Sequence, residues 1–254
     1  MDFNSIFKVF LPKDRVFYQL FEEVAEHVHE MGVKLKEMVN ELHSNNIAVI
    51  MDVVYNHVSN YDLNPFKFLD KEHYFRLDQN RNFISNSGCG NDFKTESKHS
   101  KKIIIDSLIY WMKEYHIDGF RFDYTKGFIN NGNGYSDERI AIIKRMADTI
   151  WNFKQNAYVI LEHWCDNAEE EQLADHGMML WGNVTYGYQQ ALMGFTNSSN
   201  ISSGIYTNRG WAVPHLVSYA ESHDEERTMF EALTYGNNTN ATHNARNLYT
   251  ALGR

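Results

Sequence analysis

The sequence predicts an α/β fold built on a parallel sheet. Short apolar runs, rich in β-branched and aromatic residues, alternate with longer segments whose apolar residues recur at helical spacing. The clearest run, residues 47–54, has almost no polar alternation, which suits a strand covered on both faces. The runs end in polar residues, and parallel α/β sheets, closed or open, gather their functional groups at the carboxyl ends of the strands.

At 254 residues the chain is long enough for one barrel-sized domain, and 43% hydrophobic with 22% charged residues is ordinary for a globular protein. A net charge of −9 argues against nucleic acid as partner. No run is long enough to span a membrane. The start, Met-Asp-Phe-Asn-Ser, lacks a basic stretch followed by an apolar one, so the default expectation is a cytoplasmic protein with no membrane partner. Cys89 and Cys165 lie outside any CxxC pattern and are read as free thiols. The 16 Phe, 15 Tyr and 5 Trp serve mainly the core, but such a stock also suits a sugar cleft, because pyranose faces are apolar.

In chain order, residues 5–11 read as a strand ended by Pro12. A helical pattern then runs from Val16 through Leu20, Val24, Val28, Met31, Leu35 and Val39 to Leu42, with Gly32 as a possible break. The strand over 47–54 leads into Tyr55, Asn56 and His57. A polar, aromatic-studded loop follows over about 59–96, a length that usually signals function. A helix over 100–115 should turn Ile103, Ile104, Leu108 and Trp111 inward. Strand 119–122 places Phe120 and Phe122 on one face and Arg121 with Asp123 on the other. After a turn at 130–134, Ser136-Asp-Glu starts a helix reaching 153. Strand 158–162 ends in Glu162, helix 168–175 and strand 178–181 follow, then helix 185–193 and a flexible loop over 196–203. Strand 216–219 leads into Ser222, His223 and Asp224.

Each strand-end group alone is weak. A carboxylate there often caps the next helix, and Arg121 beside Asp123 reads first as a structural ion pair. The ordered set of Asp52 with Asn56 and His57, Arg121 with Asp123, Glu162, and His223 with Asp224 is a much stronger signal.

Those stretches resemble the four signature regions of the α-amylase family of glycoside hydrolases and transglycosylases. Asp52-Val-Val-Tyr-Asn-His57, Gly119-Phe-Arg-Phe-Asp-Tyr-Thr-Lys-Gly127, Leu161-Glu-His-Trp164 and Ser222-His-Asp224 match them in order, with serine where the family often has asparagine. The stretch from Tyr74-Phe-Arg-Leu-Asp through Gly88-Cys-Gly-Asn91 is similar to a loop of pullulanase- and isoamylase-like members. The resemblance implies a (β/α)8 barrel of the TIM type, incomplete, with about its third to seventh strands present. Residues 1–32 form a divergent N-terminal segment unlike the family's first two strand–helix units, and 33–254 the partial barrel with its inserted loop at about 59–96. A partner chain or missing segments would complete the barrel.

The resemblance further implies a retaining hydrolase of α-1,4-linked glucans acting on an α-glucan oligo- or polysaccharide. The alternatives are a branching or debranching enzyme, or a truncated relative that binds glucan without turnover. Asp123 would be the nucleophile, Glu162 the general acid/base and Asp224 the third carboxylate gripping the sugar. Arg121 would hold the nucleophile, His57 and His223 would bind hydroxyls, Lys126 would line the leaving-group side, and Tyr124 or Trp164 would add an aromatic wall. No cofactor is required; calcium is possible, with Asn56 a weak ligand candidate. The chemistry agrees: a carboxylate beside a guanidinium stays ionised, while one after an apolar run, near other carboxylates, is pushed towards the protonated form a general acid needs.

Overall fold

The computed structural model describes residues 15–59, 63–129, 132 and 134–236. The strand expected over 5–11 and most of the turn at 130–134 lie outside them.

Five parallel strands form the central sheet: β1 (Ile50–Val53), β4 (Gly119–Phe122), β5 (Tyr158–Leu161), β6 (Met179–Asn183) and β7 (Leu216–Tyr219). They neighbour one another in chain order, as barrel strands do, and helices connect them on the outside. A separate antiparallel pair, β2 (His57–Val58) and β3 (Asn91–Asp92), flanks the helix Pro65–Tyr74 in the stretch that follows β1. Among the described residues the helices are α1 (Arg15–Ser44), α2 (Pro65–Tyr74), α3 (Lys98–Tyr115), α4 (Asp137–Phe153), α5 (Asn167–Asp175), α6 (Thr185–Met193) and α7 (Thr228–Tyr235), α2 and α7 unforeseen in the sequence.

The core forms where sheet meets helices. Phe120 and Phe122 of β4, Val159 and Leu161 of β5 and Leu180 of β6 pack with Leu108 and Met112 of α3 and Ile143 and Ile150 of α4. Burying each such side chain is worth about 1.5–3 kcal/mol. On α3 the buried residues are Ile104, Leu108 and Met112, while Ile103 and Trp111 are only half-buried. Helix starts follow their caps: the Ser97 and Ser136 hydroxyls accept the Ser100 and Arg139 N–H groups, and Asp166 caps α5. Gly119 is required by sheet pairing, because a Cβ there would lie 2.4 Å from the Tyr158 carbonyl oxygen.

Four expectations change. Gly32 does not break the first helix, which runs unbroken through it, at a cost of only about 1 kcal/mol against alanine. There a Cβ would come within 3.0 Å of the Tyr115 hydroxyl, so the glycine lets α1 approach α3. The 47–54 run is not covered on both faces. Only Ile50–Val53 is strand, and it is an edge strand pairing with β4 alone among the described residues, so Ile47, Ile50 and Val54 stay exposed. The long polar loop is an ordered insertion carrying α2, the β2–β3 pair and the bridges Phe75–Phe93 and Leu77–Phe83. The loop expected over 196–203 likewise contains short 3-10 turns at Thr196–Ser198 and Ser202–Gly204.

Candidate active site

The carboxyl ends of β1, β4 and β5 bring three acids onto one cation. Register sets this up: Asp52 of β1 lies beside Arg121 of β4, and Glu162 follows Leu161, the partner of Phe122. Arg121 Nη1 donates to Asp52 Oδ1 at 2.8 Å and to Asp123 Oδ1 at 3.0 Å. Nη2 lies 2.7 Å from Glu162 Oε1, but without hydrogen-bond alignment, so that contact is electrostatic. The Arg121 and Glu162 side chains are 5% and 3% exposed, against 17% for Asp123 and 55% for Asp52, so the cluster grades from dry to wet.

Burial pushes the Glu162 carboxyl up to about 7. The Tyr124 N–H, which donates to its Oε2 at 2.8 Å, and the Arg121 charge pull it down, while the charge of Asp123 and a hydrogen bond with it push it up. A carboxyl protonated up to neutral pH, beside a second carboxyl held by arginine, is the division of labour an acid and a nucleophile require.

The backbone around the pair is strained and pinned. Tyr124 and Trp164, one residue after Asp123 and two after Glu162, have φ of 42° and 49°, which costs bulky side chains about 1–3 kcal/mol each. Thr125 donates its N–H to the Glu162 carbonyl at 2.8 Å, and its hydroxyl bridges that carbonyl and His163 Nδ1. Buried Arg76, from the insertion, donates to the carbonyls of Gly127 and Phe128 at 2.7 Å each. The 3-10 turn Thr125–Phe128 is thus held from two sides.

Asn56 is buried, and its amide nitrogen donates to the Asp123 carbonyl at 2.5 Å while its oxygen meets His57 Nδ1. Both ends of its amide are thus engaged in placing Asp123 and His57. Lys126 lies 4.9 Å over the Tyr124 ring. Asp224 and His223 follow β7, 3.4 Å from each other and 55% and 56% exposed, with the His223 ring 6.4 Å from that of Trp181. Two residues not singled out from the sequence flank the site. Trp181, on β6, lies 4.1 Å from the Arg121 guanidinium. Tyr219, on β7, packs against Trp181 with ring centroids 4.8 Å apart and planes tilted by 56°, its hydroxyl buried and without a hydrogen-bond partner among the described residues. A strand-end aromatic is the only trace either leaves in the sequence.

No protein-family profile matches the chain. It is 40% identical over 121 residues to a chloroplastic isoamylase 3 of Oryza sativa subsp. japonica, covering 45% of this chain and 16% of that protein. It is 41% identical over 90 residues to a pullulanase of Bacillus subtilis, covering 35% and 12%. Over a longer span of 242 residues, 83% of this chain and 36% of the relative, it is 28% identical to a glycogen operon protein GlgX homolog of Haemophilus influenzae. Among solved structures, the pullulanase of Paenibacillus barengoltzii complexed with maltohexaose and alpha-cyclodextrin superposes with a TM-score of 0.67 at 26% identity, over 85% of this chain and 36% of that one. The chain therefore spans between 12% and 36% of the length of these proteins. Sequence and fold point to the same enzymes: the chain is a relative of the α-amylase family of glycoside hydrolases, and it corresponds to part of their catalytic barrel.

Proposed function

We propose that the chain carries the catalytic centre of a retaining α-glucan hydrolase that opens α-1,6 branch points. The observation that carries the reading is Glu162, raised to about 7 and sharing one guanidinium with Asp123. Glu162 protonates the glycosidic oxygen as Asp123 attacks the anomeric carbon, so the leaving sugar departs neutral and a glycosyl–Asp123 ester remains. Water, giving its proton to the Glu162 carboxylate, then displaces Asp123 and restores the starting state. Carboxyls gathered on one guanidinium suit the close spacing of a retaining pair, not the wider gap that accommodates an inverting water.

Asp224 and His223 take the sugar hydroxyls from the β7 side and His57 from the β2 side, while Lys126, Tyr124 and Trp164 line the leaving-group side. The α-1,6 preference rests on the similarity to isoamylases and pullulanases, and it replaces the α-1,4 specificity that the signature stretches suggest by themselves. The outer edges of β1 and β7 are unpaired among the described residues, so strands from a partner chain or from further sequence belong to this reading.

The test is reducing-sugar release from pullulan, glycogen and amylose. Release from the two branched or α-1,6-containing glucans is expected, with Asp123→Asn and Glu162→Gln each lowering kcat by at least about 10³-fold. Release from amylose and glycogen but not from pullulan would restore the α-1,4 reading. New branches without new reducing ends would make it a branching enzyme, and a folded chain that only binds glucan would end the enzymatic reading.

A further inference from the structure

We propose that Trp181 is a positioning residue, whose indole fixes the plane of the Arg121 guanidinium so that one cation addresses Asp52, Asp123 and Glu162 together. The argument starts from how little else fixes that plane. Both hydrogen bonds of the guanidinium leave from a single atom, Nη1, to Asp52 and Asp123. Nε and Nη2 are buried and have no hydrogen-bond acceptor among the described residues. A planar group anchored at one corner pivots about it, and a small pivot carries Nη2 away from Glu162 Oε1, now 2.7 Å distant. The indole, 4.1 Å from the guanidinium carbon, supplies the flat surface that stops the pivot.

Trp181 is itself well seated. It pairs in register with Val217 across β6 and β7, and the rings of Tyr219 and His223 lie 4.8 and 6.4 Å from it. Gly182, next to it, lets the strands approach, since a Cβ there would meet the Leu216 side chain at 2.9 Å. The charged and titratable groups bearing on Glu162 are Arg121 and Asp123 from β4 and its end and Tyr219 from β7, with Asp52 on the far side of Arg121 and Asp224 beyond Tyr219. Arg121 is the cation acting on Glu162, so a guanidinium that swings away leaves the carboxyl harder to ionise.

The inference deepens the proposed function, but its decisive test needs no turnover. The Glu162 carboxyl is followed by ¹³C NMR titration of glutamate-labelled protein and assigned by its loss in Glu162→Gln. Trp181→Leu and Trp181→Met, made in parallel, should raise its midpoint by about one unit, and Trp181→Phe, which keeps a ring face, should leave it near the native value. In an Arg121→Gln background the Trp181 substitutions should add nothing. The proposal fails if Trp181→Leu or Trp181→Met leaves the midpoint in place while Arg121→Gln moves it, or shifts it equally without Arg121. It fails too if both variants unfold while Trp181→Phe stays folded, because a positioning role predicts folded proteins with a displaced titration. If the native chain releases reducing sugar, the Leu and Met variants should also lose kcat with KM little changed. A chain that releases none defeats the proposed function and leaves the titration standing.

Discussion

Two of the buried arginines, Arg139 and Arg121, are used in opposite ways. Arg139 of α4 is fully buried with one carboxylate, Glu169 of α5, and the pair is saturated. Arg139 Nε and Nη2 donate to the two Glu169 oxygens at 2.6 and 2.8 Å, and the Ser136 N–H adds another bond at 2.9 Å. Neutral His163 adds a further contact at 2.9 Å, burial holding its imidazole below its usual range. The remaining Arg139 N–H groups reach the carbonyls of Lys126, Gly132 and Gly134. Arg121, by contrast, is divided among three acids, with hydrogen bonds from one nitrogen only. Burial raises both glutamates, but bonds from His163 and Arg139 overcome it and hold Glu169 down at about 2, whereas Glu162 stays up at about 7. A closed network stabilises one charge state; an open one leaves a carboxyl ready to change state. The two also touch, because His163 of the closed network meets Thr125, which holds the Glu162 carbonyl.

The largest effect should come from breaking the closed network. Arg139→Met leaves Glu169 dry and without its guanidinium, held only by His163 and the Ser136 N–H, and should cost about 3–5 kcal/mol in urea unfolding. Arg121→Gln should cost less than half of that, because Asp52 and Asp123 retain access to water and Glu162 simply keeps its proton. Equal costs for the two substitutions would erase the distinction between the networks.

Acid unfolding separates them next. The folded-state pKa of Glu169 lies below its unfolded value, so its stabilising contribution is complete above about 4.5 and drains away as the pH falls towards 2. About 2–3 kcal/mol should disappear over that window, and Glu169→Gln should flatten it. A native profile already flat between pH 4.5 and 2 would show that the pair does not hold Glu169 ionised.

The open network was far more legible in the sequence than the closed one. Asp52, Arg121, Asp123 and Glu162 sit at the ends of apolar runs, so strand recognition alone brings them to one end of a parallel sheet. Arg139 and Glu169 lie on two helices that read as amphipathic, where a charged residue is by default a solvated one. Only tertiary packing turns them inward. Trp181 escaped for a similar reason, since a tryptophan ending a strand reads as core until the guanidinium beside it is seen. The insertion between β2 and β3 was hidden because its order comes from Arg76 and paired aromatics, neither of which leaves a periodic pattern. Asp224 is the reverse case: its motif is clear, yet it stays exposed, because a residue type and position do not fix a loop's conformation.

The converse pH effect bears most directly on why the open network is kept. The folded-state pKa of Glu162 lies above its unfolded value, so the sign is opposite to that of Glu169. Below about pH 4.5 the carboxyl is protonated in both states and costs nothing. Between 4.5 and 7 the unfolded chain gains by ionising it and the folded chain does not, so stability falls as the pH rises, and above 7 the loss is constant. Glutamine keeps the shape of the protonated acid but has no proton to lose. Glu162→Gln should therefore match the native protein at pH 4.5 and exceed it by about 3 kcal/mol at pH 8, in parallel urea titrations. A variant less stable than the native protein at pH 8 would mean that the Glu162 carboxylate is a net structural partner of Arg121. The open network would then be a second closed one. A gain confined to high pH would instead show stability given up to keep a proton available at neutral pH.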